Sequence, residues 1–202
     1  ASLGLLSKQP EKYANVAFNQ TVFGLILGGI ACFVATKIDY KNYRKYAFYL
    51  FIASIVVTLF VFIPGLGVSH GGAHRWITIG SLSLQPSEML KLAFVIMVAY
   101  WCTKYRHLFR DMRYGLLPYL GLALVVSGVL LAQPDFGTYL VIMSASFVTY
   151  FVGGARKKHL ISLVFIGIAG VILLISFRPY MLERVKTFFD SSHDVRGSSW
   201  QL

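Results

Sequence analysis

The sequence predicts an all-α fold, a polytopic integral membrane protein with six complete transmembrane helices, and three observations carry that prediction. The chain is 56% apolar and only 13% charged, with a mean hydropathy of +0.65, far outside the habit of soluble domains. Its apolar residues gather into six runs, each near the ~20 residues a helix needs to cross ~30 Å of hydrocarbon. Its basic residues collect in alternate connections between those runs, the pattern that positive-inside orientation produces. A β-barrel does not fit. The runs lack the alternation of ~10-residue membrane strands, and helices close their own backbone hydrogen bonds within each segment.

The runs cover residues 19–36, 46–65, 86–103, 115–132, 136–152 and 160–177. The first contains Gly24 and Gly28 at the spacing that lets membrane helices approach closely. It ends at Lys37, and Ile38-Asp39-Tyr40-Lys41 is predicted as a short turn. Tyr40, Tyr43, Tyr46 and Tyr49 follow as an interfacial aromatic cluster. The second run stops at the breaker pair Pro64-Gly65 and opens an external loop over 66–88. The fifth ends at Gly153-Gly154. The sixth carries Gly167 and Gly170 and no charge.

Net charge is +11, but nucleic acid is not the partner it implies. Lys37, Lys41, Arg44 and Lys45 share one connection, Lys104, Arg106, Arg110 and Arg113 the next but one, and Arg156, Lys157 and Lys158 the third. These are the cytoplasmic loops. The connections 66–85 and 133–135 carry only Arg75 among lysines and arginines, and are external. Both ends then lie outside, and residues 1–6 read as the end of an interrupted apolar helix. The expectation is a fragment, 1–202, of one transmembrane domain, with 178–202 beginning a large external loop that holds a short amphipathic helix near 181–189. Cys32 and Cys102 read as small apolar residues rather than a disulfide.

Chemistry is expected in residues 71–91, where charges, aromatics and helix punctuation stand between two apolar runs. Pro86 suits the first turn of a helix, since its missing N–H would be unpaired there. Glu88 then lies near the positive end of the helix dipole, and Lys91, three residues on, shares its face and can pair with it. Charge at the mouth of a span is expensive and usually functional. Arg75 is the third member, with Trp76 as an interfacial anchor. Asp135, in the tight turn Gln133-Pro134-Asp135, is placed to cap the following helix. Two external turns thus share one formula, Gln-Pro plus an acid. His70 and His74 are not read as metal ligands, because Gly71 and Gly72 oppose a helix that would align them and no third ligand is near.

These motifs together resemble the SEDS family, the RodA, FtsW and SpoVE proteins of bacterial wall synthesis. The residues that carry the resemblance are Arg75-Trp76-Ile77 with Gly80, Gln85-Pro86-Ser87-Glu88 with Lys91, Gln133-Pro134-Asp135-Phe136-Gly137-Thr138, and Arg184, Asp190 and Gln201. Gln20 and Ile38-Asp39-Tyr40 agree with it. The resemblance implies a ten-helix parent of the bacterial cytoplasmic membrane that polymerises lipid II into undecaprenyl-linked glycan beside a class B penicillin-binding protein. Pro134-Asp135-Phe136-Gly137 and Gly154-Ala155-Arg156 resemble the division branch, FtsW, more than the elongation branch, RodA. It also implies that the catalytic aspartate follows Leu202, so no catalytic residue lies in this chain and the fragment alone is inactive. Arg75, Glu88, Lys91 and Asp135 match family positions lining the central cavity.

The chemistry so implied is transfer of a sugar from a polyprenyl diphosphate to an acceptor hydroxyl. It needs a base for the hydroxyl proton and positive groups for the departing diphosphate. Arg75 offers a fork and Lys91 a point charge, with Glu88 holding Lys91 in place. A divalent cation is compatible with that work, although no metal cage is visible. Two other classes share the features: a transporter of the lipid-linked precursor, and a membrane scaffold of the division machinery.

Overall fold

The computed structural model describes residues 24–63, 67–70, 73–79 and 82–177. Among them, helices α1 (Leu25–Lys37) and α2 (Tyr40–Leu59) are followed by a tight helical turn, Phe60–Phe62. Three short strands come next, β1 (Gly67–His70), β2 (Ala73–Ile79) and β3 (Leu82–Leu84). The chain then enters α3 (Pro86–Lys104), a wide turn at Met112–Leu116 that runs into α4 (Leu117–Ala132), α5 (Phe136–Val152) and α6 (Lys157–Phe177). The residues form two compact units. Asp39–Ile161 makes one, and the other is drawn from 1–38 and 162–202.

In the larger unit the core is built on α3. Leu90, Phe94 and Val98 recur every fourth residue, with Ala93 and Met97 beside them, so one face of the helix is apolar. All five are buried. The Phe51 ring of α2 meets Phe94 at 5.8 Å. Polar residues inside this core find partners at short range, as membrane-buried groups must: Ser54 and Thr58 donate to the carbonyls of Phe51 and Ser54 at 2.8 and 2.6 Å. At the other end of the unit the Tyr150 ring packs at a tilt against both Tyr119 and Phe109, with ring centres 4.5 and 4.9 Å away. The Tyr119 hydroxyl lies 3.0 Å from Ser146 Oγ. The outward faces are apolar: Leu124 and Val152 are each 75% exposed, which water would penalise and acyl chains would not.

The described residues of each of the six apolar runs lie mainly on a helix. Two of those helices, Tyr40–Phe62 and Met112–Ala132, are long and apolar enough to cross a membrane by length and composition, while Gly28–Lys37 and Phe136–Val152 are shorter apolar helices. Six complete spans is therefore a finer statement than these dimensions establish.

Several expectations are corrected. The fold is not purely α, because most of the loop 66–88 forms a three-stranded antiparallel sheet of order β1-β2-β3, and its last residues, from Pro86, already belong to α3. Short strands rich in Ile, Val, Thr and Trp pair readily once glycines turn the chain. The polar stretch expected as a connection before residue 46 is helical from Tyr40 onward, because Asp39 caps it by accepting from the Lys41 N–H at 3.0 Å. Among the described residues a Cβ on Gly24 or Gly28 meets nothing within 4 Å. Cys32 and Cys102 are free, as expected. Gln20, the helix expected near 181–189, and Arg184, Asp190, Asp194 and Gln201 lie outside the described residues.

Candidate functional site

The small sheet delivers Arg75. Ile77 of β2 pairs with Gly67 on one side and Leu84 on the other, and it is buried. Arg75, two residues back, is the residue that the β1–β2 register skips, between the pairs Val68–Trp76 and Ser69–His74, a bulge of the kind that re-aims a side chain. Gly67 is required where β1 starts, since a Cβ there would strike the Val61 carbonyl. The sheet is thus pressed onto the turn Phe60–Phe62 at the C-terminal end of α2.

Arg75 reaches the turn between α4 and α5. Its Nη2 donates to the Pro134 carbonyl at 2.6 Å, and Nη1 lies 3.6 Å from Asp135 Oδ1. Asp135 is only 2% exposed, a depth at which a carboxylate needs partners. It has three. Besides Arg75, Gln85 Nε2 donates to Oδ2 at 3.3 Å, and the Thr138 N–H donates to Oδ1 at 3.4 Å, which is the capping contact expected from sequence. Gln133, equally buried, donates through Nε2 to the Thr58 carbonyl at 2.9 Å. The 133–135 turn is therefore tied to α2, to β2 and to the start of α3.

At that start, Gln85 is the cap position, Pro86 opens the helix and Glu88 lies in its first turn. Lys91 Nζ is 2.7 Å from Glu88 Oε2, with the lysine side chain 29% and the glutamate 57% exposed. The predicted pairing is present, at the rim rather than in the interior. Of the four candidate residues the structure brings Arg75 to Asp135 and Lys91 to Glu88. No hydrogen bond or ion pair among the described residues joins the two pairs. Arg75 is not a free fork: both of its terminal nitrogens face the 134–135 turn.

Sequence reasoning missed Ser87. Its Oγ is buried without a hydrogen-bond partner among the described residues, and so is Arg75 Nε. Buried polar atoms normally find partners, and each one left over costs about 1–3 kcal/mol. A serine between the opening proline and the first-turn acid was the available signal. Trp76 is 36% exposed, in keeping with an anchor at the surface. No group of three or more His, Cys, Asp or Glu side chains converges among the described residues. Asp135 and Glu88 are committed to cations and amides, so these residues do not fit a divalent metal cage.

The N-terminal end of α3 thus combines a buried, cross-braced carboxylate with a lysine at the rim and unpartnered donors beside a helix N-terminus. Comparisons with known proteins identify the family. The family model described as cell cycle protein, FtsW/RodA/SpoVE, matches residues 2–202. A protein of Trichlorobacter lovleyi named a probable peptidoglycan glycosyltransferase FtsW is 32% identical over 183 residues, which cover 91% of this chain and 48% of that protein. Stage V sporulation protein E of Bacillus subtilis is 32% identical over 87% of this chain and 48% of its own length. Among solved structures, a peptidoglycan synthase complex described as coordinating polymerization and crosslinking superposes with a TM-score of 0.73 at 32% identity, covering 91% of this chain and 54% of that one. The rod shape determining protein RodA of Thermus thermophilus superposes at 0.64 with 32% identity, covering 78% and 49%. The chain spans about half the length of the curated relatives it matches. With a family match over residues 2–202, it belongs to the FtsW/RodA/SpoVE family of membrane cell cycle proteins.

Proposed function

We propose that the parent protein is a peptidoglycan glycosyltransferase of the bacterial cytoplasmic membrane that polymerises lipid II during division or elongation. In this reading the chain contributes six of its spans, with the strands and Glu88 on the external side. What carries the reading is the convergence of β2, the start of α3 and the α4–α5 turn on the buried carboxylate of Asp135, in a chain whose relatives are named as such transferases. The acceptor hydroxyl attacks the anomeric carbon, the bond from that carbon to the diphosphate oxygen breaks, and the hydroxyl proton passes to a base expected beyond this chain. Lys91, steadied by Glu88, stabilises the leaving diphosphate. Ser87 Oγ and the amides of the α3 N-terminus add donors for the same anion. Arg75, fixed to Pro134 and Asp135, shapes the pocket wall. The division branch is supported by relatives named FtsW at 32% and 33% identity. A partner that crosslinks the new strands, a class B penicillin-binding protein, is supported by the synthase complex that the chain resembles.

The test is incubation of the full-length parent with labelled lipid II in proteoliposomes. Glycan chains, reduced by Lys91→Met, support the transferase. Movement of the lipid across the bilayer without polymer would replace it with a transporter, and neither outcome would leave a scaffold.

A further inference from the structure

At the opposite end of the larger unit a half-open groove of about 490 Å³ is lined by Phe48 of α2, by Met97, Tyr100, Trp101 and Lys104 of α3, and by Pro118, Gly121 and Leu122 of α4. Its size lies within the range of small-molecule sites. Its chemistry is polarised. Seven of these side-chain positions are apolar or aromatic, and the ammonium is at one end, because Lys104 is the last residue of α3. Two further cations stand one turn below Phe48: Arg44 and Lys45 are four and three residues earlier on α2, so they share its side of the helix, and both are exposed. The polar end is organised by aromatics. Trp101 Nε1 donates to the Tyr114 carbonyl at 2.8 Å, its ring meets Tyr105 at 4.5 Å, and Lys104 Nζ sits 5.4 Å from both the Tyr100 and Tyr105 ring centres. The opening is kept by Gly121, where an added Cβ would meet nothing within 4 Å.

We infer that this groove is a binding site for an anionic phospholipid of the cytoplasmic leaflet, with an acyl chain along Met97, Gly121 and Leu122 and the phosphate at Lys104. The assignment rests on the orientation read from the basic loops. A uniformly apolar groove would suit a helix of another protein; an apolar trough closed at one end by a lysine, with Arg44 and Lys45 nearby, matches an amphiphile with a negative head. Basic residues at a membrane surface draw anionic lipid, and long basic side chains reach the headgroup level while their stems stay apolar.

Trp101 lines the groove and reports its occupancy. With Trp76→Phe and Trp200→Phe in place, the chain is reconstituted into vesicles of phosphatidylcholine containing phosphatidylglycerol or phosphatidylcholine brominated on the acyl chain. Brominated phosphatidylglycerol is expected to quench Trp101 at lower mole fraction than brominated phosphatidylcholine. Lys104→Gln is expected to reduce that preference about five-fold, the factor for one basic residue at an anionic surface. Gly121→Leu, which fills the trough without a clash, is expected to abolish quenching by either lipid beyond the annular background. Equal quenching by the two lipids, unchanged by Lys104→Gln, would mean ordinary annular lipid and overturn the site. Absence of quenching by both would mean protein covers the groove, and overturns it as well. A chain that fails to float with the vesicles removes the membrane reading itself, an outcome distinct from these.

Discussion

Arg75 and Asp135, sixty residues apart in sequence, face each other at 3.6 Å between β2 and the α4–α5 turn, with the aspartate buried and the arginine side chain 27% exposed. The pair joins the sheet to the α4–α5 turn. Breaking a buried ion pair by removing one partner costs about 3–5 kcal/mol, and the partial exposure of Arg75 lowers that toward about 2 kcal/mol here. Asp135→Ala is expected to exceed Arg75→Gln, because it also removes the helix cap on Thr138 and the acceptor for Gln85. Thermal unfolding in detergent of both single variants and the double variant checks this, and a double variant no worse than Asp135→Ala alone is the expected signature of coupling. Strict additivity would show that the two side chains act independently.

Glu88 and Lys91 are the contrasting case. Their 2.7 Å pair sits at the rim on one helical face, and exposed pairs of this spacing contribute about 0.2–0.5 kcal/mol. Glu88→Gln and Lys91→Met in the full-length parent should therefore unfold within about 2 °C of the unmodified protein while glycan synthesis falls at least about ten-fold, the loss expected when a charge that stabilises a leaving group is removed. Full polymerisation by both variants would take the pair out of the mechanism.

How far the sequence led depends on the range of the interaction. The helices were legible because their signal is local: Pro86, Glu88 and Lys91 lie within two turns, and Asp135 precedes the helix it caps. The sheet was not, since glycines and a mixed polar stretch read as a loop, and strand pairing such as Ile77 with Leu84 is decided by what the strands rest on. Spacing on one helix revealed the Glu88–Lys91 pair, but not the partner of Arg75. Arg75 stands nearer in sequence to Glu88 than to Asp135, yet β2 directs it to the α4–α5 turn, and only the fold supplies that direction.

Gly153 ends α5 with helical backbone angles, so an alanine would fit the conformation. It would not fit the space. A Cβ there comes to 2.7 Å from Cys102 Sγ and 2.9 Å from its Cβ, so α3 and α5 are held in contact by the absence of a side chain. Gly153→Ala is expected to destabilise by about 1–3 kcal/mol, and Cys102→Ala in the same molecule to restore part of the loss by removing the sulfur. Gly128→Ala on α4 is the control. Nothing lies within 4 Å of its added Cβ, and alanine favours helix over glycine by up to about 1 kcal/mol. Denaturation in detergent, monitored by circular dichroism, ranks the three.

His159, the third residue of α6 and just before the 160–177 run, is buried, with Nδ1 3.3 Å from the Tyr150 hydroxyl. Burial pushes its pKa below the ordinary 6.5 and the charge of Arg156 adds to that shift, with Asp111 opposing. The folded state therefore prefers neutral imidazole, whose Nδ1 can accept from Tyr150. As pH falls through about 6.5 the unfolded chain takes up the proton first, so stability is intact above that pH and declines below it, until the folded imidazole also protonates. The midpoint of thermal unfolding, followed between about pH 5 and 7, should drop on the acid side in the unmodified chain. His159→Asn keeps an acceptor toward Tyr150 and cannot titrate, so its midpoint should be lower at neutral pH but flatter across that window. An equal acid slope in the variant would assign the loss to the carboxylates instead of this imidazole.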